Sequence, residues 1–154
     1  MTAKVATCLW FNDQAEEAAN LYVSLIADSQ IKTVFRPVPN GPVLIVEFTL
    51  GGAPYQALNG GPMYAFTEAA SISVRTKDQA ETDRLWDALT ANGGSEGRCA
   101  WLKDRFGLSW QIVPEALPRL LSDPNRDAAS RVMQAMLGMR KIDIKQLEVA
   151  HRGP

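Results

Sequence analysis

Residues 9–16 read Leu-Trp-Phe-Asn-Asp-Gln-Ala-Glu, and the last four letters return as Asp78-Gln79-Ala80-Glu81, 65 positions further on. Each copy follows a run rich in β-branched or aromatic residues and opens a stretch with helical spacing. In the first, Ala15, Ala18, Ala19, Tyr22, Leu25 and Ile26 fall on one helical face. In the second, Leu85-Trp86 answers Leu21-Tyr22 at an offset of 64. Shared letters at the same point of two strand–helix units mark a repeated module.

Working outward, residues 4–11 read as a strand and 13–26 as a helix. Asn12 or Asp13 is placed to cap that helix, with Glu16 completing a capping box. Ile31–Phe35 reads as a strand, 36–42 as a turn-rich break and Val43–Leu50 as a strand. Gly51-Gly52 makes a tight hairpin into Pro54–Leu58, which stops at Asn59-Gly60-Gly61-Pro62. The order then repeats. Ala70–Thr76 is a strand, and 78–91 a helix ending at Asn92-Gly93-Gly94. A short strand is expected around 94–97, then strands Arg98–Lys103 and Leu108–Val113. The turn between these two carries Lys103, Asp104 and Arg105, read as a solvated hairpin tip. The expectation is an α+β fold of two paired βαβββ modules, 4–62 and 68–114, in a single domain with a helical extension over 115–154.

In the extension, Glu115–Leu121 reads as a short helix. Asp123-Pro124 reads as an N-cap and first-turn proline for a helix over 125–138. That helix is expected to turn Ala128, Val132, Met133, Met136 and Leu137 inward. A last helix starts at Asp143, with Ile144 and Leu147 inward. The extension is read as packing on the core or on a second copy of the chain.

Net charge is −1 over 154 residues, with scattered basic residues, so no field is built to attract nucleic acid. No apolar run approaches the roughly 20 residues of a membrane helix. No signal peptide is seen, and the default location is cytoplasmic. Cys8 and Cys99 are read as reduced thiols. The one histidine, His151, is expected to be exposed near a frayed end.

Several stretches carry a family resemblance. They are Leu9-Trp10-Phe11, Glu16-Glu17-Ala18-Ala19, the run from Ala57 to Pro62, Leu85-Trp86 and the run from Trp101 to Pro114. The tail stretches Arg131–Leu137 and Lys141–Ile144 belong with them. Together they resemble the PhnB-like, or 3-demethylubiquinone-9 3-methyltransferase-like, branch of the vicinal-oxygen-chelate superfamily. The resemblance implies the glyoxalase/bleomycin-resistance/dioxygenase fold, with two modules paired around a concave pocket. It also implies a divalent metal in many members, a small-molecule ligand and a homodimer.

It further implies metal ligands on the first and last strands of each module. Those points fall at Ala6, Thr7 or Cys8, at Ala57 or Asn59, at Ser71 or Ser73, and at Gln111. None is His, Asp or Glu, and one neutral amide does not hold a transition metal, so no metal is expected there. The branch name implies S-adenosylmethionine chemistry, which in its common form uses a glycine-rich strand-to-helix turn. The glycine pairs here sit in other turns, and no cofactor is expected.

Period-two alternation turns Cys8 and Trp10 to the pocket, puts Ser71 and Ser73 on one side, and groups Ser109 with Gln111. With Asn59, these seven are the expected ligand contacts. Trp10 and Trp101 read equally well as half-buried strand residues, and Asn59 as a turn former. The leading expectation is a protein that binds a small organic molecule between its modules without a metal. A divergent enzyme, of isomerase, lyase or metal-dependent glyoxalase/dioxygenase type, is the alternative. Glu47 is then the candidate acid–base group and Cys8 the candidate nucleophile. A ligand-sequestering resistance protein is a further alternative.

Overall fold

Five residues, Thr7–Phe11, form the first strand β1 of the computed structural model, which describes residues 3–154. Helix α1 (Ala15–Leu25) and strands β2 (Gln30–Phe35), β3 (Ile45–Leu50) and β4 (Ala53–Asn59) follow. They build a mixed sheet of order β1-β4-β3-β2, with β1 parallel to β4 and the other pairs antiparallel. Gly51 and Gly52 both have positive φ (54° and 83°), as a two-residue hairpin of the right twist requires. α1 buries Ala15, Ala18, Ala19 and Tyr22, at the spacing of one helical face, and the sheet buries Leu9, Phe11, Val46, Phe48 and Ala57.

The start of α1 differs from the expectation. Gln14 is the N-cap and contributes no side-chain bond. The free N–H of Ala15 instead donates to Asn59 Oδ1 at 2.8 Å, while Asn59 Nδ2 donates to the Val43 carbonyl at 3.1 Å. A residue 44 positions away in sequence does the capping, which no local motif encodes.

The chain divides into two compact units between Phe66 and Thr67. The second unit begins with β5 (Ser71–Thr76) and α2 (Gln79–Thr90), followed by β6 (Ser95–Glu96), β7 (Trp101–Lys103) and β8 (Ser109–Pro114). Its sheet has order β5-β8-β7-β6, the same pattern as the first. Asp78 caps α2 by accepting from the Glu81 N–H at 2.9 Å. Leu85, Trp86 and Leu89 pack inward with Trp110 and Ile112 among the buried residues.

Two strand-level expectations are corrected. β7 begins at Trp101 because Cys99 and Ala100 have positive φ (54° and 77°). There the backbone N–H groups of Cys99 and Ala100 leave the ladder and donate to the carbonyls of Met139 and Arg140. Asp104 is no solvated tip but 2% exposed. Its Oδ1 accepts from the N–H groups of Phe106 and Leu108 at 2.9 and 3.0 Å, and its Oδ2 from Trp110 Nε1 at 2.9 Å. Three donors converge on one carboxylate, which makes its burial tolerable.

Helices α3 (Ala116–Leu121), α4 (Arg126–Leu137) and α5 (Ile144–Arg152) complete this unit. Ala100, Leu117, Leu120, Val132, Met139, Ile142 and Leu147 form their apolar cluster. On α4 the buried stripe is Ala128, Ala129 and Val132, whereas Met133 and Leu137 are exposed, so the inward face is rotated from the expected one. The cap is Asn125, not Asp123. Asp123 accepts from the Asn125 N–H at 2.8 Å and meets His151 Nε2 at 2.6 Å. His151 is therefore half-buried and paired, held from a segment 28 positions earlier.

Candidate ligand-binding surface

Strand register decides which side chains share a face. In the first sheet, Cys8, Gln56, Glu47 and Thr33 stand in one row across all four strands. Trp10, Leu58, Ile45 and Phe35 form the next row on the same face. Alternation sends Leu9, Ala57 and Val46 to the opposite, helix-covered face. In the second sheet, Ser71, Ser109, Lys103 and Ser95 make one row, and Ser73, Gln111 and Trp101 the next. Ile72, Trp110 and Leu102 lie on the other side and are buried.

The two sheets match position by position. Phe11–Asn59 and Thr76–Pro114 are the last pairs of the two parallel ladders. Three pairs back from each end stand Cys8–Gln56 and Ser73–Gln111. Gln56 is thus the counterpart of Gln111, a residue the sequence reading missed in favour of Ala57 and Asn59. Ala57 is fully buried on the helix face. Asn59, an odd number of residues from Gln56, is also turned away from Cys8 and Trp10, and its amide is engaged by Ala15 and Val43. The missed signal was the hairpin: a two-residue turn at 51–52 pairs Leu50 with Ala53, hence Glu47 with Gln56.

Around these positions the polar groups are mostly neutral. Gln111 Nε2 donates to Ser71 Oγ at 2.9 Å, and Ser73 is exposed beside them. Trp10 is half-buried; its Nε1 donates to the Gly61 carbonyl at 2.9 Å, and Tyr64 meets it edge-on at 5.0 Å. Gly60 lies against the same indole so closely that a Cβ there would come within 2.3 Å of the ring. Glu47 is half-buried and accepts from Thr33 Oγ1 at 3.0 Å. Cys8 is exposed by area, yet the surrounding sheet removes enough water to push its thiol above the ordinary value. A thiol kept protonated is a poor nucleophile and a poor metal ligand.

These donors do not fit the metal that many superfamily members hold. The matched positions supply a protonated thiol, a hydroxyl and two neutral amides, where transition metals take imidazole, carboxylate or thiolate. Among the described residues, no three His, Cys, Asp or Glu side chains gather closely enough to hold an ion. The structure does not fit the common S-adenosylmethionine cradle either. The described helices have Gln14, Asp78, Glu115, Asn125 and Asp143 as N-caps, none a glycine.

Three of the surface depressions among the described residues bear on the site. One of about 520 Å³ lies at the start of α1, beside the Glu16–Arg36 ion pair. Another, of about 960 Å³, is lined by mixed charges including Lys77, Arg119, Lys145 and Glu148. Neither contains the open-face rows. The third, about 490 Å³, does reach them, through Trp101, Lys103 and Ser109. No helix among the described residues is long and apolar enough to cross a membrane.

No curated protein sequence matches this chain. The family model for 3-demethylubiquinone-9 3-methyltransferase matches residues 3–113, ending as the helical extension begins. Among solved structures, a PhnB protein from Bacillus cereus, described under that methyltransferase name, is 30% identical. The similarity covers 73% of this chain and 99% of that one, with a TM-score of 0.66. Protein PA1353 from Pseudomonas aeruginosa is 22% identical over 74% of this chain and 98% of that one, with a TM-score of 0.60. The fosfomycin resistance protein FosX from Listeria monocytogenes shares the fold at 11% identity, covering 73% and 91%, with a TM-score of 0.51. The chain belongs to the 3-demethylubiquinone-9 3-methyltransferase family, the PhnB-like branch of the vicinal-oxygen-chelate superfamily, and has its glyoxalase/bleomycin-resistance fold.

Proposed function

We propose that this protein binds a small organic molecule on its open sheet faces, through neutral hydrogen-bonding side chains and indole contact, without a metal ion. The observation that carries this reading is the matched placement of Cys8–Gln56 and Ser73–Gln111. An amide offers both donor and acceptor, so each sheet presents groups that recognise carbonyl or hydroxyl oxygen. Trp10 and Trp101 supply the apolar body that such sites need. The methyltransferase of the family name has no support in these residues.

The test has two parts. Elemental analysis of protein purified without chelators or an affinity tag is expected to find no stoichiometric transition metal. A thermal-shift screen of small organic compounds is expected to find stabilising ligands whose effect Gln56→Ala and Gln111→Ala reduce. About one bound metal per chain, or hits indifferent to both glutamines, would overturn the reading. Sedimentation equilibrium tests the homodimer that belongs to it.

One observation favours a second reading, a divergent enzyme. Glu47 stands directly across from Gln56, two strands from Cys8 and on the same row. A carboxylate there is placed to take a proton from a molecule held by Gln56. Glu47→Gln is then expected to abolish turnover of a bound ligand while leaving its affinity intact.

A further inference from the structure

Ser109 carries the one buried side-chain polar atom, among the described residues, that finds no hydrogen-bond partner within the chain. The residue is 1% exposed. Its cross-strand neighbours on the same face are Ser71, whose hydroxyl is taken by Gln111, and Lys103. An orphaned hydroxyl in a folded interior calls for an explanation, because the great majority of such groups are partnered. Ser109 also lines the depression of about 490 Å³ that includes Trp101, Lys103, Arg98 and Glu68.

The charges in that depression are unequal in how firmly they are held. Glu96 accepts from Trp86 Nε1 at 2.8 Å and is within 3.7 Å of Arg140. Arg98 forms no ion pair among the described residues. The Lys103 ammonium contacts the Glu68 carboxylate, with both side chains well exposed. That lysine holds the Glu68 carboxyl below its ordinary range, so the carboxylate on it is ionised at neutral pH. An exposed pair of this kind is weak and readily exchanged. Lys103 and Trp101 are two residues apart on one strand, so they share a face about 7 Å apart.

We propose that this depression is a subsite for the carboxylate of a planar aromatic acid, and that Glu68 occupies the carboxylate's place in the free protein. The incoming carboxylate displaces Glu68 from Lys103 and gives the Ser109 hydroxyl an acceptor. The ring lies along Trp101. Arg98 adds positive charge at the rim. This inference deepens the small-molecule reading and rests on it.

Benzoate titrated into the full chain, followed by tryptophan fluorescence and calorimetry, tests it, with benzamide and benzylamine as neutral and cationic controls. Benzoate is expected to bind saturably and more tightly than either control. Glu68→Gln removes the competitor and is expected to tighten benzoate about two- to fivefold, the reach of an exposed ion pair. Lys103→Met is expected to weaken it about tenfold, as loss of a charge-assisted contact does. Ser109→Ala is expected to raise the melting temperature, by deleting the orphan, and to weaken benzoate. Weaker or unchanged binding in Glu68→Gln, or benzamide binding as tightly as benzoate, would overturn the subsite. If benzamide binds as tightly as benzoate and Gln56→Ala and Gln111→Ala weaken it, the subsite falls and the small-molecule reading stands. If none of the three compounds binds, the subsite falls, and the thermal-shift screen decides the small-molecule reading.

Discussion

Replacing Asp104 by asparagine is the sharpest test of the buried turn that leads into β8. The carboxylate accepts from two backbone N–H groups through Oδ1 and from the Trp110 indole through Oδ2, all within 3.0 Å. An amide is almost the same size but has only one acceptor end. In its better orientation it keeps the backbone pair and points its NH2 at the indole N–H. One charge-assisted bond, worth about 1.5–3 kcal/mol, is lost, and the other two fall to neutral strength. Relief from burying a charge offsets part of this, leaving a cost of about 2–3 kcal/mol. Against a typical total of about 5–15 kcal/mol, that is readily measured. Urea unfolding followed by far-ultraviolet circular dichroism gives the number. The decisive control is Trp110→Phe, which removes the indole donor. In that background Asp104→Asn is expected to cost at least about 1 kcal/mol less, because the indole N–H no longer faces the amide. An equal cost in both backgrounds, or a cost under about 0.5 kcal/mol in the wild type, would refute the three-donor account.

Three further outcomes are expected. Asn59→Ala removes the cap on Ala15 and the tie to Val43, and is expected to destabilise the chain by about 1–2 kcal/mol in chemical denaturation. Gly60→Ala drives a methyl to within 2.3 Å of the Trp10 ring, so the indole must shift. A loss of about 1–3 kcal/mol and a moved Trp10 indole N–H resonance in nuclear magnetic resonance are expected. Asp83 is held below its ordinary value by hydrogen bonds from Gln79 and then Lys141, while Lys141 is raised by its bond to Asp83. The aspartate's contribution is present above the unfolded-state value and lost as pH falls through the lower folded value. The lysine's is present below its unfolded-state value and lost as pH rises through the higher folded one. Both side chains are about a third exposed or more, so Lys141→Met is expected to cost well under about 1 kcal/mol. That gap in urea midpoint against the wild type is expected to be full between about pH 5 and pH 9 and to close in acid.

Repetition and turn chemistry made most of the fold legible. The Gly51-Gly52 hairpin, the second helix, the short β6 and the Asp143 start all lie where local signals put them. What failed was settled by distant partners. Nothing near Gln14 says that Asn59 caps α1, and nothing near His151 names Asp123. Asp104 was misread because a charged triplet ordinarily faces water, and only the fold brings the Trp110 indole to it. The four-letter repeat was itself slightly misleading. Asp78 is an N-cap, whereas Asp13 lies one residue before one. The ladders keep an offset of 65 from Cys8 to Ser73, and the helices an offset of 64 from N-cap Gln14 to N-cap Asp78. The missing residue lies in the strand-to-helix loop.

That one-residue slip bears on what the modules have kept. A deletion in the loop leaves the ladders alone, so the end-of-ladder register survives, and with it the matched Cys8–Gln56 and Ser73–Gln111. Both helices still bury a large aromatic, Tyr22 in one and Trp86 in the other. Glutamine thus stands at the same point of both last strands, although the surroundings differ: Glu47 faces one and Trp101 the other. Packing alone does not call for an amide on an open sheet face, where alanine, threonine or serine would satisfy the strand equally well. An amide there gains its use from a partner with oxygen to offer or accept. Gln111 has part of that partner within the chain, in Ser71. On the proposed reading, the rest of its bonding capacity, and the orphaned Ser109 two positions before it on the same strand, serve the bound molecule.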